Sequence, residues 1–128
     1  CTYNSHPLAC AAALANMEVI KEDALIENTF SMGCLIEERL SELKQRHPAM
    51  AEQRGLGLAR GFMVHKSLKN RKHLGYMFEK YAELGFPTNG NNGIIIIAPP
   101  MIVTESQIDD IMDVTDRILS EMDSFVSI

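Results

Sequence analysis

Few side chains in this sequence are placed to do chemistry, and the best placed are suited to holding anions. Arg54 opens the run Arg54-Gly55-Leu56-Gly57-Leu58. A guanidinium is always charged and offers parallel N–H donors that match a planar carboxylate. A lone arginine more often ends in a surface salt bridge, but the neutral residues that follow supply no obvious acid. The other place is the polar loop Thr2-Tyr3-Asn4-Ser5-His6, which runs directly into an apolar helix at Pro7. Ser5 is the expected N-cap, and Pro7 tolerates the first turn because its missing N–H would be unpaired there anyway. The positive end of the helix dipole makes such a mouth attractive to an anion, although caps of this kind are more often purely structural.

The other reactive residue types read as structural. His6, His47, His65 and His73 have no partner at metal-ligand spacing, and Cys1, Cys10 and Cys34 have no zinc-like spacing either, so no metal site is expected. Glu37-Glu38 and Asp109-Asp110 fall on polar helix faces, where catalytic carboxylates are not expected. Lys21, Lys44 and Lys80 lack the apolar strand-end setting that turns a lysine into a nucleophile. The pattern Gly55-x-Gly57-x-x-x-Gly61 superficially suits a dinucleotide, but no helical periodicity follows it.

The elements that must position these residues follow from periodicity. Leu8 to Leu14 carries no charge, and a helix apolar all round is expected to be buried on nearly all sides. Asp23 is expected to cap a second helix, whose stripe Leu25, Met32, Ile36, Leu40 and Leu43 repeats at helical steps and whose stop is Pro48. Glu42 and Arg46 stand four apart, as an intrahelical ion pair would require. Residues 50–65 predict a strand bent at its glycines. A third helix is expected over 72–84, with Leu74, Met77, Phe78, Tyr81 and Leu84 inward and Gly85 as its cap. Phe86-Pro87-Thr88 predicts a short edge strand, Asn89 to Gly93 a turn, and Gly93 to Ala98 a central strand buried on both faces. Thr104 and Gln107 form a capping box for a last helix with Ile108, Ile111, Met112, Ile118, Leu119 and Met122 inward. The result is a small α/β (α+β) two-layer unit with helices on a short sheet.

Composition bounds the function. In 128 residues, 46% hydrophobic content suffices for one core. The net charge of -5 argues against nucleic acid as a partner. No run is long and apolar enough to span a membrane. The basic cluster Lys66 to His73 reads as solvated surface. An odd cysteine count, with Cys10 and Cys34 in apolar helical settings, predicts reduced thiols serving as small core residues in a cytoplasmic protein. A first residue of Cys rather than Met is expected of a piece of a longer polypeptide.

Three separated motifs carry a resemblance: Thr2-Tyr3-x-x-His6-Pro7-Leu8-Ala9-Cys10-Ala11-Ala12-Ala13-Leu14-Ala15 continuing through Met17-Glu18-Val19-Ile20, then Arg54-Gly55-Leu56-Gly57-Leu58, then Ile97-Ala98-Pro99-Pro100 with Thr104 to Asp109. In this order and spacing the chain resembles the C-terminal part of class III pyridoxal-phosphate aminotransferases, over most of its length. The resemblance implies the small C-terminal domain of a fold-type I enzyme, with helices packed on a short, mostly antiparallel sheet. Residues 1–22 would be the linker loop and buried helix leading from a large domain, and residues 23–128 the small domain.

The resemblance also implies roles. The family's Schiff-base lysine and ring aspartate belong to the large domain and have no counterpart here, so no catalytic residue is expected and the chain alone should be inactive. Thr2 matches a phosphate anchor of pyridoxal 5'-phosphate that reaches into the partner subunit of a homodimer. Arg54 matches the arginine that grips the substrate carboxylate, with Gly55 letting the backbone approach. His6 and Tyr3 are expected to pack rather than to react. The spelling Asn4-Ser5-His6-Pro7 is more like the ω-amino-acid:pyruvate branch, so the full-length enzyme would move an amino group from an ω-amino acid or amine to a 2-oxo acid such as pyruvate. The connection from His65 to Lys72 is short for the family. A free-standing, non-catalytic oligomerisation or interaction module, or an aminomutase of the same family, are the alternatives.

Overall fold

The computed structural model describes residues 6–126. Helix α1 (Pro7–Glu22) is followed by α2 (Leu25–Arg46), the strands β1 (Met50–Leu56) and β2 (Ala59–Val64), a short helical turn at Lys66–Leu68, α3 (Arg71–Glu83), β3 (Ile94–Ile97) and α4 (Glu105–Asp123). The strands form one antiparallel sheet in the order β1-β2-β3. Helices and an antiparallel sheet make an α+β fold, as expected.

The single strand expected over 50–65 is a hairpin. Gly57, at φ 54°, lets the chain reverse where a β-branched residue could not, and Arg54 then pairs with Gly61 across the ladder. Phe86 to Thr88 does not form the expected edge strand. Pro87 has no N–H to give a ladder, and the pairing shrinks to an isolated bridge between Asn89 and Ile96. Nor is β3 central or buried on both faces: it is an edge strand paired with β2, with only the isolated Asn89 bridge on its other side among the described residues. Ile95 and Ile97 face the core, whereas Ile96 is 44% exposed, because helices cover only one side of the sheet.

The core lies where that covered side meets α2, α3 and α4. Ile36, Leu40 and Leu43 of α2 meet Phe62 and Val64 of β2, Met77 and Tyr81 of α3, and Ile108, Ile118 and Leu119 of α4 in one cluster. The apolar stripes read from periodicity on α2, α3 and α4 are therefore the packed ones, apart from Leu25 at the start of α2, which lies outside the cluster. Burial pushes the Tyr81 phenol up, so it stays neutral and donates to Thr115 Oγ1 at 2.9 Å. The Thr104–Gln107 capping box is present at the start of α4. Gly85, at φ 87°, closes α3: its N–H and that of Phe86 donate to the Ala82 and Tyr81 carbonyls.

Local polar pairings differ from expectation in three places. Asp23 ends α1 instead of capping α2, whose N-cap is Ala24 at φ 48° with no side-chain bond. Ser5 lies outside the described residues; the N-cap of α1 is His6, also without a side-chain bond. Arg46 reaches across to Asp116 of α4 at 2.9 Å rather than to Glu42, because the inter-helix acid sits beside the last turn of α2. The same helix ends are joined by His47, which is buried between Asp123 Oδ2 at 2.7 Å from Nδ1 and Asp116 Oδ1 at 2.9 Å from Nε2.

Helix α1 departs most from expectation. None of its residues is buried within this chain; Leu8 is 74% exposed, and Phe30 on the adjoining stretch of α2 is 72% exposed. α1 makes its main contacts with α2, away from the core. Cys10 and Cys34 are exposed as well, not core residues, since Cys10 rides on the uncovered α1 and Cys34 on the outer side of α2. No helix among the described residues is long and apolar enough to cross a membrane.

Candidate functional site

The uncovered face of the sheet is where chemistry-bearing residues gather. Side chains alternate along strands, so Phe62 and Val64 point to the core while Gly61 and Met63 point outward, joined by Ile94 and Ile96 of β3. Glu52, Arg54 and these outward residues line an open groove of about 330 Å³. Its floor is apolar and its charge is concentrated at the β1 side.

Arg54 is the exposed cation of this groove, its side chain 76% accessible. Its Nε donates to Glu52 Oε1 at 3.1 Å and its Nη2 to Glu52 Oε2 at 3.0 Å. This two-pronged grip is the geometry with which a guanidinium holds a free carboxylate. It also corrects the expectation that no acid stands near Arg54. Glu52 is two residues back, and period-two alternation puts it on the same face; the signal was in the sequence but required the register of β1 to be known.

Gly55 follows at φ 151°, and a Cβ there would lie 2.5 Å from the Ala59 carbonyl oxygen, so only glycine fits beside Arg54. Gly61, opposite Arg54, is closed in the same way: a Cβ would lie 2.6 Å from the Ile95 carbonyl oxygen. The glycines of this segment serve close backbone approach, and no helix follows them to cradle a dinucleotide phosphate.

The other sequence candidates go elsewhere. Thr2 and Tyr3 lie outside the described residues. His65 caps the turn at Lys66–Leu68, accepting from the Ser67 N–H. From the acid pairs, Glu37 bonds to Arg60 and Asp109 to Arg39 at 3.1 Å, both structural ties. The basic cluster is solvated, with Lys66, Lys69, Arg71 and Lys72 exposed. Lys80, the one half-buried lysine among the described residues, is paired with Glu83 at 2.7 Å. None of these lysines is buried in an apolar pocket, so the described residues do not fit the carbonyl-binding end of a pyridoxal cofactor. The side chain most clearly overlooked is Arg60, buried on the core face of β2. Only its charge in an otherwise apolar alternation could have drawn notice.

Comparison with solved proteins defines the class of this fold. The structure of an S-selective transaminase from Arthrobacter sp. with alanine bound superposes with a TM-score of 0.87 at 27% identity, over 97% of this chain and 31% of that one. The family model for class-III aminotransferases matches residues 1–119, and the chain belongs to that family. It is similar to the acetylornithine aminotransferase of Caldanaerobacter subterraneus subsp. tengcongensis (32% identical over 94% of this chain and 30% of the relative). It is also similar to the putrescine–pyruvate aminotransferase of Pseudomonas aeruginosa (28% identical over 94% and 28%). The chain thus spans less than a third of these relatives' length.

Proposed function

We propose that this chain is the C-terminal small domain of a class-III aminotransferase, and that Arg54 grips the carboxylate of its substrate. The observation that carries this reading is the two-pronged engagement of Arg54 with a carboxylate, at the rim of a groove on a sheet face that no element among the described residues covers. A planar carboxylate entering the groove can take the place of the Glu52 side chain without any change in the guanidinium's own geometry. The apolar floor excludes water from the rest of the bound molecule.

The full-length enzyme would move an amino group from an ω-amino acid or amine to a 2-oxo acid such as pyruvate. The amine-to-pyruvate activity named for one relative supports this choice. Pyridoxal 5'-phosphate would carry the amino group between donor and acceptor. The described residues hold none of its reactive end, so the lysine and ring acid belong to a large domain, and the chain alone is inactive. Thr2, outside the described residues, would meet the cofactor phosphate of the partner subunit in a cytoplasmic homodimer. The exposed apolar row on α1 supports a covering element of that size. The same row is what a free-standing oligomerisation module would show, and Arg54 separates the two readings.

The test is Arg54→Ala in the full-length enzyme. Loss of a charge-assisted hydrogen-bond pair, worth about 1.5–3 kcal/mol, raises KM for an ω-amino acid roughly tenfold to a hundredfold. KM for an amine without a carboxylate stays within about twofold. Equal effects on both would remove the clamp.

A further inference from the structure

Among the described residues, Arg60 is the only arginine the fold buries; its side chain is 7% exposed. Its Nε donates to the Gly57 carbonyl oxygen at 3.1 Å, and its Nη2 donates to Glu37 Oε2 at 2.7 Å. One guanidinium therefore ties the turn of the β1–β2 hairpin to α2. The turn is fixed by contact as well. A Cβ on Gly33 of α2 would lie 2.6 Å from the Gly57 carbonyl carbon, so helix and turn touch backbone to backbone. A Cβ on Gly55 would lie 2.6 Å from Arg60 Cγ, so the stem of Arg60 fills the space against the residue next to Arg54.

Stability does not explain a buried arginine here. The cost of removing a guanidinium from water offsets much of what its ion pair returns, and an apolar side chain of similar volume commonly serves as well or better. What an apolar side chain cannot do is select one carbonyl and one carboxylate to face. A directional tie fixes the tip of the hairpin at one place on α2, and the tip carries Arg54.

We propose that Arg60 is a positioning residue for the Arg54 clamp, and through it a determinant of selectivity for carboxylate-bearing substrates. This rests on the reading of Arg54 given above. Arg60 touches no substrate; it sets where the guanidinium of Arg54 starts from. Its influence is confined to molecules that bring a carboxylate to that end of the groove.

The experiment is steady-state kinetics of the full-length enzyme carrying Arg60→Met, which keeps the length of the stem and removes the tie. An ω-amino acid is compared with an amine lacking the carboxylate, with Arg54→Ala measured alongside. Loosening the clamp is expected to forfeit part of its charge-assisted hydrogen-bond pair and so to raise KM for the ω-amino acid roughly tenfold. The kcat for that substrate, KM for the amine and the melting temperature stay close to the parent values. Arg60→Lys, a point charge without the fork, gives a smaller rise of the same selectivity. If Arg54→Ala is selective but Arg60→Met changes neither substrate, or changes both equally, the positioning role is overturned and the clamp stands. If Arg54→Ala is itself unselective, the clamp falls and the positioning role with it. Should Arg60→Met fail to fold, Glu37→Gln decides the question, since Glu37 is largely exposed. A selective rise of a few-fold supports the role, and none overturns it.

Discussion

Arg54 and Glu52 form a pair whose members have unequal duties. The ion pair is exposed on both sides, and such pairs contribute about 0.2–1 kcal/mol. Under the clamp role proposed for Arg54, Glu52 is a weak competitor for the guanidinium that a substrate carboxylate displaces at little cost. Glu52→Gln in the full-length enzyme is expected to lower KM for an ω-amino acid by up to roughly fivefold, the equivalent of about 1 kcal/mol. The kcat for an amine without a carboxylate should not move. A rise in KM instead would mean that Glu52 helps to hold the substrate. Arg54 stood out without the structure, whereas Glu52, two positions back, did not. Their pairing needed the structure, because a glycine-containing strand has no legible register until its neighbour is known.

At the scale of elements, the joint between the end of α2 and α4 gathers several polar contacts at one place: Arg46 and His47 meet Asp116, and His47 also meets Asp123. His47 is buried with both ring nitrogens on carboxylates, and Asp123 also accepts the Ala49 N–H at 2.9 Å. His47 is buried but Asp116 and Asp123 are 32% and 25% exposed and keep Arg46 and the Ala49 N–H as partners, so His47→Ala should destabilise the chain by about 1–3 kcal/mol in urea unfolding without changing the slope. A loss below about 0.5 kcal/mol, the range of ordinary surface changes, would show that the joint is ornamental. This contact was invisible from spacing alone: the partners lie 69 and 76 residues from His47. By contrast, α2, α3 and α4 were legible within a residue or two at most ends, because amphipathic periodicity and end signals such as Thr104, Gly85 and Pro48 are local. The hairpin was misread as one strand because Gly57 marks both a bend and a reversal, and only pairing distinguishes them.

For the whole molecule, the core and the uncovered surfaces sit on opposite sides of the sheet and at opposite ends of α2. The row on α1, with Leu8, Leu14, Met17 and Val19 exposed together with Ile26 and Phe30 of α2, is far more apolar than a solvated helix needs to be. The isolated chain is therefore expected to self-associate in sedimentation velocity at tens of micromolar, an order-of-magnitude figure for an unpartnered apolar face. Leu14→Glu combined with Met17→Glu should return it to a monomer while leaving its melting temperature unchanged, since neither side chain is buried in the core. A monomer at all concentrations without those substitutions would argue that α1 is not a contact surface.

The sequence by itself determined most of the apolar stripes, the capping box of α4 and the order of the helices, along with the family, whose three motifs are contiguous runs readable without a fold. It determined the two residues to watch, Thr2 and Arg54, but the environment of Thr2 lies outside the described residues. Only the tertiary structure decided that residues 50–65 turn back on themselves, that β3 is covered on one face, that α1 is left bare, and that Glu52 and Arg60 flank Arg54 on opposite faces of the sheet. The reason is one of range. Periodicity and capping act over a few residues and are written in neighbours, whereas register, burial and ion pairing depend on which distant surface the chain meets.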